Sequence, residues 1–190
     1  RGGTMHTKIV FKLYKLFVEN GFSAIRFNFR GVGKSDGIYD DGEGELSDAA
    51  SALDWMQELN KNAPYVWIAG FNFGAWIGMQ LLMRRPEIEG FISVAPPANL
   101  HDFSFLAPCP SSGLIIQGEN DDVVTHEPVE KLVEKLHLQK GIDIDHRTVS
   151  GANHFFHNKT DELMLDIHDH MNKAELSGRK IPLEILRRAA

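Results

Sequence analysis

The sequence has little cysteine, no long apolar run and no excess of positive charge. Its single cysteine, Cys109, excludes a disulfide within the chain and favours a reducing compartment, so we predict a cytoplasmic protein. No apolar run approaches the roughly 20 residues needed to cross a bilayer, and no signal peptide is visible. We therefore predict that the protein has no membrane partner.

The charge of the chain argues against nucleic acid as a partner. Asp and Glu number 26 against 20 for Lys and Arg, which gives a net charge of −6, and the basic residues form no stripe. Internal repeats and low-complexity segments are also absent from the sequence. Its length of 190 residues predicts one domain, which we place at residues 1–175, followed by a tail at 176–190.

Apolar runs typical of strands alternate along the chain with stretches of helical periodicity. This alternation predicts an α/β fold, with a mostly parallel sheet covered by helices on both faces. We interpret the acidic loop from Asp36 to Glu45 as solvated surface. The predicted strands are Phe22–Phe29, Tyr65–Ala69, Phe91–Ala95, Leu114–Gln117 and Ile142–Val149, and the predicted helices are Ile9–Phe17, Leu46–Leu59, Trp76–Met83, Glu127–Leu138 and Asp161–Met171.

The segment Gly70–Ala75 joins a predicted strand to a predicted helix through a sharp turn. Glycines two positions before and two positions after residue 72 leave room for a nucleophile elbow, which holds its apex residue in a strained conformation. In an active hydrolase of this kind the apex is a serine. Here the apex is Asn72, so the sequence predicts the frame of a catalytic site without its nucleophilic hydroxyl.

An acid and a histidine follow the ends of later predicted strands. Asp121 and Asp122 come after one strand, and His154 comes after the next. We expect them near Asn72, because functional groups gather at the carboxyl ends of the strands in a parallel sheet. The order elbow, acid, base is that of an α/β-hydrolase triad, in which the acid orients the histidine. Asp121 is the predicted acid and Asp122 the reserve candidate.

Taken together, these motifs resemble those of small bacterial α/β-hydrolases related to dienelactone hydrolases and carboxylesterases. The resemblance covers nearly the whole chain and rests on Gly2-Gly3-Thr4-Met5, Arg26 to Ser35, Gly70 to Ala75, and Gly151 to Phe156. It implies an α/β-hydrolase fold and a Ser-His-Asp-type site that hydrolyses carboxylic esters. The implied ligand is a small ester or acyl molecule. Whether the protein forms a homodimer stays open.

The resemblance also implies which residues bind the substrate. One oxyanion donor would be the backbone N–H of Phe73, and the other would come from the loop near Gly2 and Gly3. We expect Phe103, Phe105 and Phe155 to hold an acyl ligand.

Neither a metal nor any other cofactor is predicted. Histidines 154 and 157, and histidines 168 and 170, have spacings that could ligate a metal, but no cysteine or third histidine accompanies them at metal-site spacing. Relatives carry a His-Pro-His-Pro-type strand and loop before the Gly-Gly-Thr-Met motif, and two more strands before that. We therefore expect the sequence to be incomplete at its N-terminus.

Three interpretations of Asn72 stay open. A carboxamide cannot be activated by removing a proton, so the first interpretation is a hydrolase scaffold that is inactive or impaired because its nucleophile is replaced. The second is a catalytically silent protein that binds a small acyl ligand in the pocket where an active hydrolase would bind its substrate. The third is deamidation of Asn72 to a carboxylate nucleophile.

Overall fold

The computed structural model describes residues 3–176, which contain a four-stranded parallel sheet in the order β1-β2-β3-β4. All of these strands and helices correspond to ones predicted from the sequence, so the predicted α/β class is confirmed. The strands are β1 (Val66–Phe71), β2 (Ile88–Val94), β3 (Gly113–Gly118) and β4 (Ile144–Val149), and the helices are α1 (Lys8–Glu19), α2 (Glu43–Leu59), α3 (Phe73–Leu82), α4 (His126–His137) and α5 (Thr160–Leu176).

Helices cover both faces of the sheet. Successive strand residues point to opposite faces, so each strand contributes to two cores. Ile92, Leu114 and Ile116 pack against α1 and α5, whereas Phe91 and Ile115 pack with α2, α3 and α4. These five side chains are at most 1% exposed. Burial on both faces explains why β2 and β3 are almost continuously apolar.

The predicted strand Phe22–Phe29 is wrong, because this stretch pairs with no strand in the described part of the chain. It runs beside β1, with Phe22 near Trp67 at one end and Phe29 near Phe73 at the other. The ring centroids of these pairs are 6.5 and 5.7 Å apart. Among the described residues, ring contacts join this segment to its neighbours and no backbone hydrogen bond links it to β1, so it is not a strand of the sheet. Both segments line a cleft of about 1890 Å³.

The interpretation of the acidic loop as solvated surface is wrong for Glu45, which is 1% exposed. Its carboxylate accepts hydrogen bonds from the backbone N–H groups of Asp40 and Gly42, at 3.0 and 2.9 Å. It thereby caps the start of α2 and satisfies donors outside the helical hydrogen-bond pattern. Charge alone did not distinguish this residue from its exposed acidic neighbours.

Most of the predicted tail, residues 177–190, lies outside the described residues, as do residues 1 and 2. The predicted boundary between residues 175 and 176 falls within α5, which ends at Leu176. Within residues 3–176, none of the helices has both the length and the apolar character needed to span a bilayer.

Candidate functional site

Asn72 lies at the turn between β1 and α3, with φ 49° and ψ −118°. A positive φ is uncommon for a residue other than glycine, and such a conformation persists only where the surrounding structure holds it. Here the Asn72 N–H donates to the Val94 carbonyl at 2.9 Å, and the Asn72 carbonyl accepts from the Ala75 N–H at 2.8 Å. The side chain of Asn72 is thereby held at the carboxyl end of the sheet.

The two glycines of the elbow have different roles. A Cβ atom on Gly70 would overlap the backbone of Gly74 and Ala75, because strand and helix meet at that point. Apart from the adjoining backbone of its own helix, a Cβ atom on Gly74 would have no neighbour within 4 Å. The expectation that both glycines make room for the turn is therefore wrong for Gly74.

This difference predicts opposite outcomes for two matched substitutions. We expect Gly70→Ala to reduce the free energy of unfolding by about 2 kcal/mol or more, since backbone must shift to admit the methyl group. Gly74→Ala is expected to change it by less than about 1 kcal/mol, because alanine is favoured over glycine in a helix. Urea unfolding followed by circular dichroism measures both, and equal losses would contradict the steric assignment.

Asn72, His154 and Asp121 form a continuous chain of hydrogen bonds. The Asn72 Nδ2 atom lies 2.9 Å from His154 Nε2, and His154 Nδ1 lies 2.8 Å from Asp121 Oδ2. Because an amide nitrogen only donates, Nε2 is the acceptor and the ring proton resides on Nδ1, where it bonds the carboxylate. A triad histidine needs this tautomer to take a proton at Nε2.

Asp121 is 6% exposed and is held by the backbone of its own loop. Its Oδ1 atom accepts hydrogen bonds from the N–H groups of Val123 and Val124, at 2.9 and 2.7 Å. Burial raises the pKa of Asp121, but the hydrogen bonds from His154 and these two amides outweigh it, so the pKa lies below its ordinary value. Asp122 is exposed and makes no bond to His154. The structure thus places Asp121, rather than Asp122, beside the histidine.

The loops that carry Asp121 and His154 contact each other directly. A Cβ atom on Gly118 would lie 2.5 Å from the carbonyl oxygen of Ala152, so only glycine allows this approach. Beside it, the Asn120 N–H donates to the same Ala152 oxygen at 2.8 Å. These contacts set the distance between the acid and the base.

One of the predicted oxyanion donors already has a partner within the protein. The Phe73 N–H donates to Oδ1 of Asn72 at 2.7 Å, so the apex side chain occupies this donor. Gly3 lines the same cleft as Asn72, and Gly2 lies outside the described residues.

Of the three predicted binding residues, the structure brings only Phe155 to the site. Phe155 lines the cleft, and its ring centroid lies 4.9 Å from that of His154. Phe103 and Phe105 stack on each other at 5.9 Å and pack in the core on the α2–α4 side of the sheet. They are not among the residues that line the cleft.

Sequence reasoning missed two residues of the cleft, Tyr39 and His101, whose rings pack against Phe73 at 6.0 and 5.9 Å. His101 follows β2, so its place after a strand end is a signal that could have revealed it. Burial lowers the pKa of His101. No such signal marks Tyr39, which lies in the acidic loop.

The other histidines considered as metal ligands, His157, His168 and His170, each bond to a different residue. In the region from residue 3 to residue 176, no group of three or more His, Cys, Asp or Glu side chains is placed to hold a metal ion. The nearest partners are Asn153 for His157, Asn20 for His168, and Asp145 for His170.

Comparison with known proteins supports an α/β-hydrolase. Over 173 residues the chain is 50% identical to an uncharacterized protein of Rickettsia prowazekii, covering 89% of this chain and 73% of that protein. The crystal structure of a candidate α/β hydrolase of unknown function from Agrobacterium tumefaciens is 60% identical, with a TM-score of 0.90 over 93% of this chain and 81% of that one. An α/β serine hydrolase homologue from Coxiella burnetii is 38% identical, with a TM-score of 0.78 over 88% and 78% of the two chains.

These similarities agree with the parallel sheet, the elbow and the bonded histidine. Residues 3–136 match the family described as X-Pro dipeptidyl-peptidase (S15 family). The α/β-hydrolase part of the predicted resemblance is confirmed, whereas the narrower dienelactone hydrolase and carboxylesterase group stays a prediction. The chain is an α/β-hydrolase that belongs to the X-Pro dipeptidyl-peptidase (S15) family.

Proposed function

We propose that this protein is a hydrolase scaffold for carboxylic esters in which Asn72 stands where the nucleophilic serine would be, so that the chain is inactive or strongly impaired. The observation that carries the proposal is the contact of 2.9 Å between Asn72 Nδ2 and His154 Nε2. In a serine hydrolase the histidine accepts the nucleophile's proton at this position. The rest of the triad is therefore arranged around a side chain that cannot attack.

The Asn72 carboxamide obstructs the reaction in two ways. Its nitrogen lone pair is delocalised, so hydrogen bonding to His154 does not create a nucleophile. Its oxygen occupies the Phe73 N–H, at 2.7 Å, and so competes with any oxyanion for that donor. Losing one oxyanion donor alone reduces turnover by about 10²–10³-fold in serine hydrolases.

An Asn72→Ser variant would supply the missing nucleophile and free the Phe73 N–H for the oxyanion. Its hydroxyl would donate its proton to His154 Nε2 and attack the ester carbonyl, while Asp121 stabilises the imidazolium that forms. The freed Phe73 N–H would bind the oxyanion. His154 would then protonate the leaving alcohol, and water activated by the same histidine would release the acid.

A second candidate function is the binding of a small acyl ligand without catalysis. It is favoured by the grouping of Asn72, Phe73, His154 and Phe155, which all line one cleft. In this function Asn72 would serve as a hydrogen-bond donor to the ligand.

Covalent labelling tests the proposed function. Intact mass spectrometry after treatment with an alkyl fluorophosphonate is expected to show no adduct on the chain as it stands and one adduct on Asn72→Ser. Adding His154→Ala to that variant is expected to abolish the adduct, because the hydroxyl would lose its base. An adduct that persists without His154, or none on Asn72→Ser, would contradict the proposal.

A further inference from the structure

Two groups of aromatic rings flank Asn72 in the cleft. We propose that the site binds a ligand whose acyl part carries a flat aromatic ring, such as an arylalkanoic acid or its ester. This inference names a substrate class for the proposed function and rests on it where hydrolysis is concerned. The binding of the free acid does not require hydrolysis.

The first group is centred on Phe73, the residue directly after Asn72. Its ring centroid lies 5.7 Å from Phe29, 6.0 Å from Tyr39 and 5.9 Å from His101. His101 in turn stacks on Trp76 at 4.1 Å, with the planes 21° apart. This packing fixes the orientation of the rings, yet Tyr39 remains 58% exposed and has room for another ring against it.

The second group lies on the His154 side of Asn72. Phe155 is 50% exposed, and its ring centroid lies 4.9 Å from that of His154 and 6.2 Å from that of Phe71. Val123, which is 40% exposed, also lines this side of the cleft. Exposed rings beside a buried polar site are the arrangement that binding pockets use for the apolar part of a ligand.

A polar anchor lies between the two groups. Asn72 Nδ2 carries two hydrogens, and only one of them is used, in the bond to His154. The second has no acceptor among residues 3–176 and can donate to a ligand carbonyl or carboxylate. An acyl group bound there, with an aryl ring a few bonds away, would place that ring against Phe155 or Tyr39.

The inference distinguishes an aromatic from an alkyl ligand. Contacts between aromatic rings add to the effect of buried area, because each ring has a negative face and a positive edge. A saturated ring of similar size buries comparable area without this complementarity. The structure therefore favours a phenyl group over a cyclohexyl group by roughly three- to tenfold in affinity.

The test uses a matched pair of ligands, 3-phenylpropanoate and 3-cyclohexylpropanoate. Isothermal titration with the chain as it stands is expected to show three- to tenfold tighter binding of the phenyl compound. Phe155→Leu and Tyr39→Leu, singly and together, are expected to reduce that ratio toward one. Phe11→Leu is the control, because Phe11 is 41% exposed but does not line the cleft, and it should leave the ratio unchanged. Equal affinities, or a ratio that survives the double substitution, would overturn the inference.

A second measurement separates this inference from the proposed function. The methyl esters of the same two acids are offered to the Asn72→Ser variant, and the phenyl ester is expected to have the higher kcat/KM by a similar factor. Hydrolysis of both esters at equal kcat/KM would overturn the inference and leave the proposed function standing. If neither ester is hydrolysed while the binding ratio holds, the proposed function fails and the inference stands.

Discussion

Replacing Asn72 with serine is expected to raise the turnover of a short 4-nitrophenyl ester by at least about a thousandfold over the chain as it stands. Removing the nucleophile of a serine hydrolase costs on the order of a millionfold in turnover, and what remains comes from the oxyanion site and binding. The other triad members are already in place, with hydrogen bonds of 2.9 and 2.8 Å along the chain of three residues. One substitution therefore supplies the missing atom without rebuilding the site.

Asn158→Ser is the matched control for this gain. Asn158 is exposed, and like Asn72 it has a positive φ, of 58°, so its replacement introduces a similar backbone strain. It is expected to leave hydrolysis at background. Activity in the chain as it stands that disappears in His154→Ala would contradict the assignment of Asn72 as a silent residue.

Asn72→Asp tests the third interpretation, in which deamidation creates the nucleophile. The variant carries the carboxylate that deamidation would produce, and we expect it to remain near background with the same ester. Turnover as fast as that of Asn72→Ser would favour the carboxylate interpretation. The intact mass of the untreated chain shows whether the conversion has taken place.

The second large effect concerns the acid. In the Asn72→Ser background, Asp121→Asn is expected to lower kcat by roughly ten-thousandfold, as in other triads where the acid becomes an amide. Oδ1 of the new side chain still accepts from Val123 and Val124, so its amide nitrogen faces His154 Nδ1. Two donors cannot share that contact, and the histidine is driven to the tautomer whose Nε2 cannot take a proton.

Asp122→Asn is the control for this effect, because Asp122 is the exposed neighbour of Asp121. It is expected to change kcat by less than about threefold, in keeping with the small effects of surface substitutions. Circular dichroism verifies that both variants are folded. A loss of activity in Asp122→Asn as large as in Asp121→Asn would reverse the assignment of the acid.

The elements of this site that could be predicted from sequence are those linked to a strand end. Asn72, Asp121 and His154 each follow a short apolar run, and parallel strands bring such positions to one edge of a sheet. The choice of Asp121 over Asp122 agrees with the hydrogen bonds that Asp121 makes to its own loop and to His154. Order along the chain and strand assignment therefore carried most of the information about these three residues.

What the sequence could not predict depends on side-chain direction and on neighbours distant in sequence. Phe103 and Phe105 are as apolar as Phe155, and no pattern in an irregular loop reveals that their rings enter the core. Phe22–Phe29 has the composition of a strand, but strand pairing depends on how far away the neighbouring backbone lies. Glu45 is buried because its position three residues after Gly42 lets it cap α2, and the charge of the loop does not reveal that position.

The strand order has a consequence for the reach of the histidine loop. His154 follows β4, yet it must contact Asn72 beyond β1, three strand spacings or about 14 Å away across the sheet. The loop between β4 and α5 spans this distance from an anchor at Phe156, whose side chain is fully buried. The length of this loop therefore limits how far His154 reaches, and a shorter loop would hold its imidazole away from Asn72.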